Sequence, residues 1–240
     1  MIEAVIFDWG GTLAPWTTID HLAAWRCVAD VLHADDPERA AALADALLAA
    51  DNARWLAVRD EHRAFTLAQV LADTAVHHPA DLPPDVLEAG LEAYRTFWTP
   101  HVPTDPEAAP MLAALRERGL KLGVLSSTAW PGHWHEELFR SDGVLDLLDA
   151  CVWSSDLDYT KPHPSAFRAA MDAVGALDPA RCVYVGDRMY DDISGAKGAG
   201  MRAVLVPHSP IPAVQQVAVD VQPDAVLPRL ADLPELLADW

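Results

Sequence analysis

The chain has 240 residues, 51 % of them hydrophobic, enough to bury a full core as one large domain or as a domain carrying an insertion. A formal charge of −19 argues against nucleic acid and anionic membrane surfaces as partners, because binding a polyanion requires basic groups to displace its counterions. An anionic small molecule would need its charge met locally, by a metal or by a few placed cations, and the chain has only three lysines, Lys121, Lys161 and Lys197.

No basic leader precedes the first apolar run, and no window approaches the roughly 18 uncharged apolar residues of a membrane span. A cytoplasmic protein is therefore expected. Cys27, Cys151 and Cys182 are odd in number and widely spaced, which suits buried structural thiols better than disulfides or a zinc site.

The first element is a short apolar strand over Ala4–Phe7 that ends in Asp8 and runs into the Gly10-Gly11 turn. Asp8 either caps that turn or faces a ligand beyond the strand end. From Ile19 to Trp98 the texture becomes rich in Ala, Leu, Arg and Asp at helical spacing. Five helices fit, over 19–33, 37–50, 51–63, 65–76 and 84–98, the second opened by Asp36-Pro37 and the last by Pro83-Pro84. Their polar residues read by default as a solvated face.

From Asp105 helices and strands alternate. A helix over 105–118 leads to a strand over Leu120–Leu125 ending in Ser126-Ser127-Thr128; a second strand, Ala150–Trp153, ends in Ser154-Ser155-Asp156 and the loop bearing Lys161. A helix over 164–175 precedes the strand Cys182–Val185, which ends in Gly186-Asp187 with Asp191 and Asp192 beyond it. A helix over 191–199, a strand over Ala203–Val206 and a helix over 229–238 complete the pattern, with 208–224 read as loop and edge structure. His133 and His135 in PGHWHEE read as loop residues, since an i, i+2 pair shares no helix face for a metal. Alternating strands and crossover helices define a doubly wound, Rossmann-like parallel α/β sheet. Residues 1–13 and 101–240 form this core, and 14–100 an inserted all-helical domain.

In a parallel sheet all strand ends lie on one edge. Asp8, Ser126, Ser127, Lys161, Asp187, Asp191 and Asp192 therefore converge. Several carboxylates at one point repel unless a cation sits among them, and hard oxygen ligands suit Mg²⁺. A carboxylate kept ionised by a metal and a lysine can attack a phosphoryl group.

DWGGTL, the apolar run ending in Ser126, Lys161 in TKPHPSAF, and GDRMYDDISGAKGAGM resemble, in order, the four motifs of the haloacid dehalogenase (HAD) superfamily, mostly Mg²⁺-dependent phosphatases. The resemblance implies that Asp8 is the nucleophile and forms an aspartyl-phosphate, and that Thr12 supports its turn. It implies that Ser126 and the Ser127 N–H bind phosphate and that Lys161 bridges nucleophile and phosphate. Asp8, the Gly10 carbonyl and Asp187 would ligate Mg²⁺, with Asp192 or Asp191 as the second acid. The helical insertion resembles the family's cap of the first type, and the implied partner is a small phosphorylated metabolite. Neither substrate identity nor the choice between monomer and homodimer is readable.

Gly10 departs from the pattern. Family phosphatases carry there an aspartate that acts as general acid and base, help worth ~10²–10⁴-fold. Slow turnover, a good leaving group or a proton-transfer residue from the cap would follow, with Asp20, His21, Glu61 and His62 as candidates. Phosphonoacetaldehyde hydrolases, which also lack that aspartate, need a cap lysine, and none lies between Leu13 and Leu120. A 2-haloacid dehalogenase, whose halide needs no proton, and a non-catalytic protein with the same fold are the alternatives. Arg188 reads as an ion pair with a neighbouring Asp, and Trp9 either lines an entrance or packs against the cap.

Overall fold

The computed structural model describes residues 1–74, 83–207, 210–211 and 216–240. Six parallel strands form one sheet: β1 (Ala4–Phe7), β2 (Lys121–Ser126), β3 (Ala150–Trp153), β4 (Cys182–Gly186), β5 (Arg202–Leu205) and β6 (Ala225–Val226). Their order is β3-β2-β1-β4-β5-β6. The chain leaves β1 in one direction for β2 and β3, then returns to the other side of β1 for β4. The topological switch therefore lies at β1, whose neighbours are β2 and β4 in registers Phe7↔Val124 and Phe7↔Val185.

Alternation along the strands sends side chains to opposite faces. Val5, Phe7, Leu122, Val124, Val183 and Val185 pack against α5 (Ala108–Glu117) and α9 (Leu233–Leu236). Ala4, Ile6, Leu125, Tyr184 and Ala203 face α7 (Pro164–Val174) and the short α8 (Gly195–Gly198). Because both faces are covered, the strands read as near-continuous apolar runs.

Between β1 and α5 lie α1 (His21–Leu32), α2 (Pro37–Glu61), α3 (Leu67–Ala72) and α4 (Pro84–Trp98). They bury a second cluster of their own, with Trp25, Val28, Leu43, Leu47, Val70 and Tyr94 at its centre. Asp20 caps α1 by accepting from the Ala23 N–H at 3.0 Å, and Asp36 caps α2 by accepting from Arg39 at 3.0 Å. Trp130 and Trp134, from the segment after β2, belong to this cluster, and Trp9 touches both it and the sheet cluster.

Several elements differ from the sequence pattern. The helices expected over 37–50 and 51–63 are one, because Asp51 is buried inside α2, where its carboxylate accepts from Trp25 Nε1 at 3.1 Å, and starts no new helix. The helix expected over 65–76 is shorter, capped by the Thr66–Gln69 box, and its residues 75–76 lie outside the described residues. His133 and His135 are helical, on α6 (Gly132–Ser141), with His135 buried by aromatic rings. The segment after β4 opens as a π-helical turn, Met189–Ser194, and 229–238 is broken into short turns around α9. β6 adds an unexpected edge strand beyond the proline-rich loop. All three cysteines are free, but only Cys182 is fully buried. Among the described residues, no helix is long and apolar enough to cross a membrane.

Candidate active site

Asp8 directly follows β1, and its N–H donates to Val185 O at 2.9 Å, continuing the ladder one residue past the strand. The chain then turns sharply, with the Thr12 and Ala14 N–H groups both donating to Trp9 O. Gly11 has φ +88°, and a Cβ there would lie 2.2 Å from Asp187 Oδ2, so this turn and its contact with the β4 loop require glycine. A Cβ at Gly10 would meet no atom within 4 Å.

Lys161 is buried and surrounded. Its ammonium lies 2.8 Å from Asp8 Oδ1 and donates to Asp192 Oδ1 at 2.7 Å and to Tyr184 OH at 2.9 Å. Tyr184 OH in turn donates to Leu125 O at 2.8 Å. Three donors therefore meet three acceptors, and the ammonium is fixed against Asp8 by groups from β2, β4 and the π-helical turn.

Asp192 has both oxygens engaged, since Oδ2 accepts from the Asp187 and Arg188 N–H groups at 3.1 and 2.9 Å. Asp191 is instead paired with Arg188 at 2.8 Å, and Arg188 also lies 3.8 Å from Asp8 Oδ2. Geometry thus separates two acids that adjacent sequence positions left equivalent. The Arg188 ion pair is present as expected.

Asp8, Asp187 and Asp192 bring carboxylate oxygens within 4.8 Å of one another. Two carboxylate oxygens of these residues, Asp8 Oδ2 and Asp187 Oδ1, are buried and accept no hydrogen bond. Burial raises the Asp8 carboxyl above its ordinary value, with Lys161 opposing and Asp192 adding to the rise. Asp187 is pushed up to about 7, by burial first and then by Asp192. Asp192 is held low: burial acts against its charge, but Lys161 and Arg188 outweigh it.

Thr12 and Ser126 are buried at the same edge, the Thr12 hydroxyl without a hydrogen bond. Ser127 is half-buried and its Oγ accepts from Thr160 Oγ1 at 2.6 Å. The structure therefore joins Asp8, Lys161, Asp187 and Asp192 directly, and brings Asp191 to them through Arg188 and Ser127 through Thr160, whereas Asp156 lies beside Gly132. It adds Tyr184 and Trp16, whose Nε1 donates to Asp187 Oδ2 at 2.6 Å. Tyr184 could have been noticed as the one hydroxyl within the apolar strand β4, whereas nothing in the sequence marks Trp16. Trp9, half-buried, packs 5.7 Å from Trp130 of the helical cluster and edge-on to His135 at 4.4 Å.

The model of haloacid dehalogenase-like hydrolases matches residues 2–200, and the chain belongs to that family. It is thus a hydrolase by family. Glyceraldehyde 3-phosphate phosphatase of Methanopyrus kandleri is 28 % identical over 250 residues, spanning 100 % of this chain and 98 % of that protein. The same-named protein of Pyrococcus abyssi is 34 % identical over 126 residues, 52 % of each chain. Among solved structures, a HAD phosphatase from Thermococcus onnurineus matches with TM-score 0.66 and 23 % identity over 98 % of both chains. A 2-haloacid dehalogenase from Pseudomonas syringae matches with TM-score 0.66 and 25 % identity over 100 % of both.

Proposed function

We propose that the chain is a phosphatase of small phosphomonoesters that works through an aspartyl-phosphate on Asp8 and holds Mg²⁺ between Asp8 and Asp187. The observation that carries this reading is the pair of buried oxygens, Asp8 Oδ2 and Asp187 Oδ1, without a hydrogen bond beside a lysine fixed to Asp8. A buried acceptor without a donor is costly, and Asp8, Asp187, Asp191 and Asp192 outnumber Lys161 and Arg188. A hard dication suits both conditions. Asp8, the Gly10 carbonyl and Asp187 would hold it, and once bound it would keep both carboxyls ionised and neutralise phosphoryl oxygens.

Asp8 attacks phosphorus in line and the alcohol leaves; water then displaces the carboxylate and releases phosphate. Lys161, immobilised by Tyr184 and Asp192, presents its charge where the transferring group gains negative charge, with no reorganisation at that moment. Ser126 Oγ and the Ser127 N–H donate to phosphate oxygens, and Thr12 steadies the turn below them. The helical segment 14–100 acts as the cap, excluding water and selecting substrate.

The full-length similarity to a glyceraldehyde 3-phosphate phosphatase makes triose phosphates the first substrates to try. The test is phosphate release from glyceraldehyde 3-phosphate, other sugar phosphates and p-nitrophenyl phosphate, with Mg²⁺ or with chelator, and with Asp8→Asn as control. Release that requires both Mg²⁺ and Asp8 supports the reading; release unaffected by Asp8→Asn refutes it. A dehalogenase is the second reading, favoured by Gly10 and by the likeness to a 2-haloacid dehalogenase. Halide release from 2-chloropropionate without phosphate release would establish it.

A further inference from the structure

The site as described has no group to protonate a departing alkoxide. Gly10 provides none, and the reason is not steric, since a Cβ there meets nothing within 4 Å. The four polar residues of the helical segment that could serve are sorted by the structure. Asp20 is exposed and used as the α1 cap. His21 is exposed and lies edge-on to Trp98 at 5.5 Å. Glu61 is exposed on the last turn of α2.

His62 is different. Among the described residues it is the one non-glycine with positive φ, at 54°, a left-handed conformation that terminates α2 and turns the chain back toward the sheet. Its carbonyl accepts from the Thr160 N–H at 2.9 Å. Thr160 is the residue before Lys161, and its hydroxyl donates to Ser127 Oγ at 2.6 Å. The adjoining Arg63 forms an antiparallel bridge with Tyr159. The half-buried imidazole of His62 places Nε2 3.0 Å from Tyr190 OH, on the π-helical turn that also carries Asp191 and Asp192. His62 is thus tied by its backbone carbonyl to the loop that carries Lys161, and through Thr160 to Ser127, while its imidazole meets the turn that carries Asp192.

We propose that His62, held by Tyr190, is the proton-transfer residue that replaces the carboxylate absent at Gly10. The inference rests on the phosphatase reading above. In the first half-reaction an Asp8 oxygen bonds to phosphorus, the bond from phosphorus to the ester oxygen breaks, and the His62 imidazolium gives its proton to that oxygen, releasing the alcohol. In the second, a water oxygen bonds to phosphorus, the bond to Asp8 breaks, and the water proton goes to the neutral imidazole. The sum is ester plus water to alcohol plus inorganic phosphate, with His62 restored. An acid in this place matters most for unactivated alcohols, so the substrates are alkyl phosphates such as those of small sugars and polyols.

The experiment uses the Mg²⁺-loaded full chain and a series of phosphate esters with graded leaving groups, from p-nitrophenyl to simple alkyl. His62→Asn is the chosen variant because asparagine tolerates the left-handed backbone that most residues resist, and Tyr190→Phe is its companion. The expected result is a loss of about 10²-fold or more in kcat on alkyl esters and less than about tenfold on p-nitrophenyl phosphate in His62→Asn. Tyr190→Phe should show a smaller loss with the same bias, and adding Gly10→Asp to His62→Asn should recover alkyl-ester turnover.

Equal losses on all esters would mean that His62 only anchors the helical segment, and would overturn the inference. No loss on any ester would overturn it as well. If His62→Asn does not fold, Tyr190→Phe decides in the same way, an unbiased effect counting against the inference. A wild-type protein that releases no phosphate from any ester refutes the phosphatase reading, and the inference falls with it, an outcome distinct from an active enzyme indifferent to His62.

Discussion

Replacing His135 by phenylalanine should make the protein less sensitive to acid. The imidazole is fully buried on α6, stacked 4.2 Å from Trp153 and 5.2 Å from Trp130, with Trp9 edge-on. Its Nε2 lies 3.0 Å from Thr128 Oγ1, while Nδ1 has no hydrogen bond, so a second ring proton would be buried without an acceptor. Burial accordingly pushes the His135 pKa down from 6.5 to about 3. The folded protein keeps the ring neutral while the unfolded chain takes up a proton below pH 6.5. Stability is therefore present above pH 6.5 and is lost as pH falls toward 3.

The slope is about 1.36 kcal/mol per pH unit, so at pH 4.5 His135 costs about 2.7 kcal/mol relative to neutral pH. His135→Phe keeps the stacking and removes one partner of Thr128 Oγ1, which still accepts from the Trp130 N–H at 3.0 Å; that loss is about 1 kcal/mol. The variant should therefore be less stable than wild type at pH 8 and more stable at pH 4.5. Urea unfolding of both proteins across this range measures the difference, in which the carboxylates common to both cancel. A difference that stays flat from pH 7 to 4.5 would refute the reasoning.

Lys161→Met should destabilise the fold by about 3–5 kcal/mol, because Asp8 and Asp192 stay buried without the ammonium that bridges them; loss of the solvent-screened Arg229–Glu107 pair should leave the midpoint of the same denaturant assay nearly unchanged. Mg²⁺ at about one hundred times its dissociation constant should stabilise the wild type by about 2.7 kcal/mol in thermal unfolding, and Asp187→Asn should abolish that gain. An equal gain in both proteins would remove Asp187 from the metal site. Gly10→Asp should fold normally, since the space beside Gly10 is open, whereas Gly11→Ala should lose stability and activity together through its φ of +88° and the clash with Asp187 and Trp16; melting curves of the pair check the contrast.

The sheet was legible because its strands are buried on both faces and read as apolar runs that end in polar residues. Parallel pairing alone then puts Asp8, Ser126, Lys161 and Asp187 on one edge. Local pattern failed where a tertiary contact overrode it. Asp51 looked like a helix boundary, but the Trp25 indole satisfies its carboxylate inside α2. His135 looked like a loop residue because its burial depends on tryptophans contributed by the segments after β1 and β2 and by β3.

Periodicity determined the class of fold, and the motif residues the place of the site. Only the tertiary structure decided that Asp192 binds Lys161 while Asp191 binds Arg188, that Trp16 reaches Asp187, and that the His62 imidazole meets Tyr190 on the turn after β4. The physical reason is the same in each case. A side chain's neighbours across a crevice are set by how separate elements pack, and sequence distance carries no record of that.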